Sequence, residues 1–220
     1  MKWKNITGNI VPGKEESMCE TLEELWTKIV STGKKSQGFT ILGRIKGRDD
    51  AKYRDPNDLE KSGAASIVDC GELYSAVQNL RPRVIVEVGT WFGTTAMIMA
   101  KALIESQMDS VIYTCDKHNV YHQMDPYRDY IRYYNMRSHK FFQRIIRAGK
   151  RADFIFLDAS LKEIDMPYLK NLCHKDTVIY GHDMHQRKGK KNIMLIQKTF
   201  KKTTLQTAKT SDIMFVIRLK

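Results

Sequence analysis

Residues 83–107 read RVIVEVGTWFGTTAMIMAKALIESQ, and the fold follows from how this stretch divides. Val84 to Val88 form a short apolar run broken only by Glu87, the pattern of a strand covered on both faces of a parallel sheet. Gly89 and Gly93 then bracket a tight turn. From Thr94 the chain is apolar almost all round, through Ala96, Met97, Ile98, Met99, Ala100, Leu103 and Ile104, which predicts a helix packed between the sheet and its neighbours. Thr94 is placed to cap that helix.

Strand, glycine turn and helix form a nucleotide-type cradle, because glycine lets a ligand approach the backbone and a helix start offers free N–H groups. A dinucleotide fingerprint needs a glycine where this chain has Glu87. A carboxylate there would repel a pyrophosphate. S-adenosylmethionine carries a sulfonium, an ammonium and no phosphate, so the acid suits that ligand electrostatically. The stretch E-V-G-T-W-F-G-T-T therefore resembles the first motif of the class I S-adenosylmethionine-dependent methyltransferases. A glycine turn in some other α/β fold is the plainer alternative.

Length and composition set the frame: 220 residues, 42% hydrophobic and 28% charged, suit one globular domain with an extension. The division expected is an N-terminal extension or lid over 1–62 and a cofactor-binding domain over 63–220. No apolar run approaches the roughly 18 to 20 residues of a membrane span, and Met1 to Lys4 lead into no signal-peptide core, so no membrane and a cytoplasmic location are expected. Cys19, Cys70, Cys115 and Cys173 are scattered without a C-x-x-C pair, which indicates neither a zinc site nor a disulfide framework; Cys115 and Cys173 read as core residues. The formal charge of +12 is concentrated in two segments. Residues 117–151 carry nine Lys/Arg against two acids and residues 185–220 carry ten against one. These are either solvated helix faces or an electropositive rim for an anionic substrate or nucleic acid.

Along the chain, Thr21 to Val30 predict an amphipathic helix with Leu22, Leu25, Trp26 and Ile29 on one face, inside an otherwise irregular arm. Ala64 to Leu80 predict a second, ending before Pro82. Val111 to Cys115 form a buried strand that stops at Asp116, where a two-oxygen acceptor could take both ribose hydroxyls of an adenosine or could cap the following loop. Pro126 argues against a long helix before a brief strand at Ile131 to Tyr134, and Ser138 starts a helix with Phe141, Phe142, Ile145 and Ile146 inward. Asp153 to Ala159 form a strand ending in Asp158. Met166 to Cys173 form a short helix, and Thr177 to Tyr180 form a strand that runs into Gly181-His182-Asp183-Met184-His185. A helix over Asn192 to Lys202 and two strands, Thr204 to Thr207 and Ile213 to Leu219, close the chain as a terminal hairpin.

This order of elements is similar to the Rossmann-like, seven-stranded class I methyltransferase fold, an α/β fold with a mostly parallel sheet and a C-terminal antiparallel hairpin. D-F-I-F-L-D-A followed about two dozen residues later by G-H-D resembles the O-methyltransferase branch, with its catechol-type and macrocin and cephalosporin-biosynthesis members. The resemblance covers roughly residues 64–220. It implies that Glu87, Gly89 and Gly93, with Thr90 and Thr94 in the same turn, form the methionine-side cradle and that Asp116 accepts the ribose. Ser138 and His139 would border the adenine, with Ala159 nearby. Asp158 and Asp183 match carboxylates that hold a divalent ion, Mg²⁺ or Mn²⁺, and His182 joins that set. Two departures stand out: Met184 replaces the asparagine of catechol-type enzymes, and Leu161 replaces their lysine, with Lys162 one step later.

The chemistry expected is methyl transfer to a hydroxyl oxygen of a small, anionic or sugar-like substrate, the oxygen being partly deprotonated as it attacks. Either a metal at Asp158 and Asp183 lowers the hydroxyl pKa, or His182, and after it Lys162, accepts the proton. An RNA or cap methyltransferase is the alternative, drawn from the basic segments and from Tyr121, Tyr127, Tyr130, Tyr133 and Tyr134 as a stacking surface. A non-catalytic S-adenosylmethionine-binding module is the third reading. Nucleic acid and a homo-oligomer stay open as partners beside the small molecule.

Overall fold

Alternation along the strands decides the layers. In the computed structural model, which describes residues 21–28, 65–91, 93–118, 127–211 and 213–219, residues 22–28 are helical (α1) and the rest builds one seven-stranded sheet. The elements run α2 (Ile67–Leu80), β1 (Val84–Val88), α3 (Thr94–Glu105), β2 (Val111–Asp116), β3 (Ile131–Asn135), α4 (Ser138–Arg147), β4 (Ala152–Leu157), α5 (Met166–Leu172), β5 (Cys173–Gly181), α6 (Arg187–Thr199), β6 (Thr203–Thr207) and β7 (Phe215–Leu219). Strand order is β3-β2-β1-β4-β5-β7-β6, with β7 antiparallel to both its neighbours and the first five strands mutually parallel. This is the architecture expected, hairpin included.

Ile85, Phe154, Phe156, Val178, Tyr180 and Val216 point to one face, where α2 and α3 cover them with Leu73, Val77, Met97 and Ile98. Their neighbours Val86, Ile155, Leu157, Ile179, Phe215 and Ile217 point to the other, against Phe141, Phe142, Leu169 and Leu195 of α4, α5 and α6. Side chains that alternate on strands apolar in both registers require helices on both sides. Leu25 and Trp26 of α1 are buried in the first of these cores, and the Trp26 indole N–H donates to the Ala65 carbonyl at 2.8 Å. That part of the extension is thereby tied to the domain. Ile29, Cys19, Tyr121 and Pro126 lie outside the described residues.

Register positions the site. Cys115, Val88, Leu157 and Gly181 lie side by side at the carboxyl ends of β2, β1, β4 and β5. The ladder then runs one step further, since Gly89 N–H donates to Cys115 O (2.9 Å), Asp158 N–H to Val88 O (2.9 Å) and His182 N–H to Leu157 O (3.0 Å). Asp116, Gly89, Asp158 and His182 therefore form a row on a rigid edge. The chain reverses its direction across the sheet between β1 and β4, and open α/β sheets bind ligands at such a switch point.

Several boundaries differ from the sequence reading, among them the start of β5, at Cys173 instead of Thr177. Helix α6 begins at Arg187 and ends at Thr199, whereas the apolar pattern alone predicts Asn192 to Lys202. Its start, RKGKK, carries no apolar signal: Arg187, Lys190 and Lys191 are exposed and Lys188 reaches the carboxyl edge. Gly93, with φ 82°, is the N-cap of α3, so Thr94 is the first residue inside the helix and does not cap it. Cys70, Cys115 and Cys173 are buried free thiols, as the core reading expects for the last two, and burial pushes Cys173 up to about 12. Among the described residues no helix is long and apolar enough to cross a membrane.

Candidate active site

The cradle forms where the turn between β1 and α3 meets the turn after β4. Gly89 has φ 107°, and a Cβ there would come within 2.9 Å of the Asp158 carbonyl carbon and 3.1 Å of the Ala159 nitrogen. Only glycine permits both the conformation and the approach. Thr90 is buried, with its hydroxyl 2.6 Å from that of Thr114. Trp91 holds a left-handed backbone (φ 46°), stabilised by its N–H bond of 3.1 Å to Asp116 Oδ2. Thr94 is 3% exposed, and its hydroxyl has no hydrogen-bond partner among the described residues. A spare buried hydroxyl in the first turn of a twelve-residue helix suits a ligand carboxylate, so the cradle fits the amino-acid end of S-adenosylmethionine.

Glu87 plays a different part from the anion expected beside the ligand. Strand alternation turns it toward α3, where it is fully buried and accepts hydrogen bonds from the Thr95 and Thr114 hydroxyls. Burial, against those two bonds, pushes its pKa up to about 8. It braces β1, β2 and α3 through these two bonds. Asp116 is half-buried at the end of β2, and its second oxygen accepts the His118 N–H at 2.9 Å. The loop-capping alternative thus describes part of its role, while each carboxylate oxygen retains a lone pair. Ser138 and His139 stand at the start of α4, and the Ser138 hydroxyl donates to the buried Asp165 at 2.7 Å.

Beside the cradle lies a cluster of charges. His182 Nδ1 is 3.4 Å from Asp158 Oδ1 and 3.4 Å from Asp183 Oδ1, while its Nε2 bonds Asp69 Oδ2 at 3.0 Å. The Lys188 ammonium bonds Asp158 Oδ1 at 2.6 Å, the Asp158 carbonyl at 2.7 Å and Asp183 Oδ2 at 2.6 Å. These side chains are between 12 and 24% exposed, apart from Asp69, which is buried. Burial alone would lower the His182 pKa, but Asp158, Asp183 and Asp69 outweigh it and push it up to about 11. The imidazole is a cation here, unsuited to accepting a proton. The His182 bond, followed by Lys188, holds Asp183 well below the usual carboxylate range.

Asp158, His182 and Asp183 come together as expected, with one candidate ligand atom from each within 4.8 Å of the others. As arranged, however, they do not fit a divalent ion. An ammonium already bridges the two carboxylates and an imidazolium faces both. Lys162, the lysine singled out from sequence, is exposed in the loop before α5, and Lys188 is the one that reaches the carboxylates.

Three contributors were illegible in the sequence. Asp69 reads as the capping-box acid of α2, which it also is through Ser66. It additionally accepts the hydroxyl of Ser211, from the turn before β7. Lys188 reads as one more charge of a basic rim. Asn192, four residues on and so on the same face of α6, is buried and clamps the loop after β4 through Ala159 O (2.9 Å) and Leu161 N–H (2.8 Å). The i, i+4 pair of Lys188 and Asn192 directly after G-H-D is the faint signal from which both could have been found.

The ion pairs make stability depend on pH. A histidine whose folded pKa is raised contributes fully below its ordinary value of about 6.5 and loses that contribution as pH climbs through about 11. Asp183, shifted the other way, contributes above about 4 and less below it. Thermal melts should therefore show the wild type exceeding His182→Gln by a margin that is widest near pH 5 to 6 and narrows by pH 10. A margin unchanged with pH would contradict these pairings.

The class follows from fold and edge. A sheet in this order, with a glycine cradle and paired carboxylates at its switch point, is that of the class I methyltransferases. Residues 86–184 match the family model described as a methyltransferase domain, and in fold the chain resembles the S-adenosylmethionine-dependent class I methyltransferases. Among solved structures it is similar to SAH-bound methyltransferase PaMTH1 of Podospora anserina, at 13% identity and TM-score 0.56, over 97% of this chain and 99% of that one. It is also similar to the O-methyltransferase TomG of Streptomyces achromogenes, involved in tomaymycin synthesis and solved with SAM, at 12% identity and TM-score 0.56, over 92% of each chain. A third is the O-methyltransferase of Bacillus cereus solved with SAH, at 13% identity and TM-score 0.54, over 88% of this chain and 89% of that one. No curated protein matches the sequence.

Proposed function

We propose that the chain methylates a hydroxyl oxygen of a small molecule, with an anionic or sugar-like acceptor favoured by the basic α6 start. The observation that carries this reading is the recessed group of Asp158, Asp183, His182 and Lys188 directly beside the Gly89 turn. When bound, S-adenosylmethionine supplies an electrophilic methyl group on a sulfonium. Gly89, Gly93 and Thr94 would hold its amino-acid end, Asp116 its ribose, and Ser138 and His139 the adenine side. Asp158 or Asp183 accepts the hydroxyl proton as the oxygen attacks, and Lys188 stabilises the negative charge that builds on that oxygen. His182, a cation braced by Asp69, keeps the two aspartates ionised and oriented. Much of the acceleration would come from holding the acceptor against the methyl group.

Support for a nucleic-acid acceptor is reduced by where the tyrosines go. Tyr127 is buried, Tyr130 packs against the core, and Tyr134 packs tilted against Phe141 with ring centroids 5.6 Å apart. Such rings are not free to stack on bases.

Calorimetric titration tests the cofactor. S-adenosylmethionine should bind and NAD should not, and Asp116→Ala should weaken binding by about 1 to 3 kcal/mol through loss of hydrogen bonds to a charged acceptor. Tight NAD binding with no response to S-adenosylmethionine would refute the proposal. Release of S-adenosylhomocysteine, screened over hydroxylated small molecules, then identifies the acceptor.

A further inference from the structure

The disagreement between the carboxylate pair and a divalent ion has a specific origin in helix α6. We propose that Lys188 is the resident cation of this site, its ammonium standing between Asp158 and Asp183 in the place a divalent ion would need, so that methyl transfer proceeds without a metal. The inference rests on the methyl-transfer reading for its role in catalysis, but the occupancy of the site can be tested without it.

The geometry is that of a satisfied site. An ammonium has three N–H donors, and three acceptors surround Lys188 Nζ: Asp158 Oδ1 at 2.6 Å, Asp158 O at 2.7 Å and Asp183 Oδ2 at 2.6 Å. His182 Nδ1 lies 3.4 Å from that same Asp158 oxygen and 3.4 Å from Asp183 Oδ1. A divalent ion entering between Asp158 and Asp183 would have to expel the Lys188 ammonium, which bonds an oxygen of each.

The lysine is also held in place by the helix that carries it. Gly189 packs so closely on the Asp183 backbone that a Cβ would lie 2.2 Å from the Asp183 oxygen. One turn further, Asn192 bonds the loop that follows Asp158 at both Ala159 O and Leu161 N–H. Both carboxylates and the ammonium therefore sit on one platform, and the charge is preorganised instead of being carried on a free surface side chain. In the reaction an acceptor hydroxyl would exchange for one carboxylate contact, donating its proton to Asp158 or Asp183 while Lys188 bonds the oxygen left behind. The O–H proton passes to the carboxylate and the oxygen's electron pair forms the O–CH₃ bond. S-adenosylmethionine would supply the methyl group, the pair of the broken S–C bond staying on sulfur as S-adenosylhomocysteine, so no other co-reactant is needed.

Manganese binding measured by electron paramagnetic resonance on the full chain tests this without cofactor or acceptor. Wild type and Lys188→Arg, which keeps the cation, should bind no Mn²⁺ in the micromolar range. Lys188→Met, which keeps the length and removes the charge, should gain one Mn²⁺ site at least tenfold tighter than any in the wild type. Adding Asp183→Asn to Lys188→Met should abolish that site. Thermal melts confirm that each variant is folded. Stoichiometric Mn²⁺ binding by the wild type that Asp183→Asn removes, equal binding by wild type and Lys188→Met, or binding by neither overturns the assignment. Failure of S-adenosylmethionine to bind would instead refute the methyltransferase reading and leave the Mn²⁺ result standing.

Discussion

Asp158→Asn and Asp183→Asn should each lower the methyl-transfer rate by about 10²- to 10³-fold, the range seen when one preorganised electrostatic group is removed. Both carboxylates contact the same two cations, so neither acts alone. Loss of either leaves Lys188 with one fewer charged acceptor and removes a site for the acceptor proton. Groups that work as a unit are strongly non-additive, and the double substitution should reduce the rate little beyond either single one. Asparagine preserves volume, and cofactor affinity measured by calorimetry should change little, which separates the chemical step from binding. EDTA should leave the rate unchanged. Full activity in both single variants would eliminate this site, and strictly multiplicative losses would show that the aspartates act independently.

The second large effect is expected at a residue with no functional group. Gly189→Ala would ordinarily stabilise a helix by up to about 1 kcal/mol. Here a Cβ would sit 2.2 Å from the Asp183 oxygen, 2.5 Å from its carbonyl carbon and 2.7 Å from Met184 Cα, all backbone atoms that cannot rotate away. Either α6 or the 183–184 turn must shift. Asp183 has φ 59° and bonds Gln186 through both its backbone oxygen and Oδ1, each at 2.9 Å, so the turn has little freedom to yield. The variant should lose about 1 to 3 kcal/mol of stability by overpacking and most of its activity, because Lys188 and Asp183 move apart. Gly71→Ala is the control. Nothing lies within 4 Å of a Cβ there, and it should melt at or slightly above the wild-type temperature. A Gly189→Ala protein as stable and active as the wild type would disprove the close packing.

What could be read in advance was what local pattern encodes. The run Val84 to Val88, the glycines at 89 and 93 and the all-round apolar helix after them define a strand, turn and helix whatever surrounds them, and they exclude a dinucleotide fingerprint. Asp116, Asp158 and Asp183 announced themselves because each follows a buried strand, and parallel strands in register bring their ends to one edge. Even the hairpin was legible, since period-2 alternation is local.

Contacts across the sheet were not. Glu87 looked like an anion facing a ligand, yet strand parity turns it into the interior, and burial raises its pKa to about 8. His182 looked like a base or a metal ligand. Asp158, Asp183 and Asp69, the last 113 residues away in sequence, favour its charged form instead, and Lys188, on a helix whose first turn carries no apolar signal, reaches the same two aspartates at the strand ends, Asp158 and Asp183. The sequence by itself determined the class of fold and the edge where the candidate site residues gather, because periodicity and chain order suffice for both. Only the tertiary structure decided which charge lies between the aspartates, because that depends on how α2 and α6 pack against a shared strand edge, and no spacing along the chain encodes such packing.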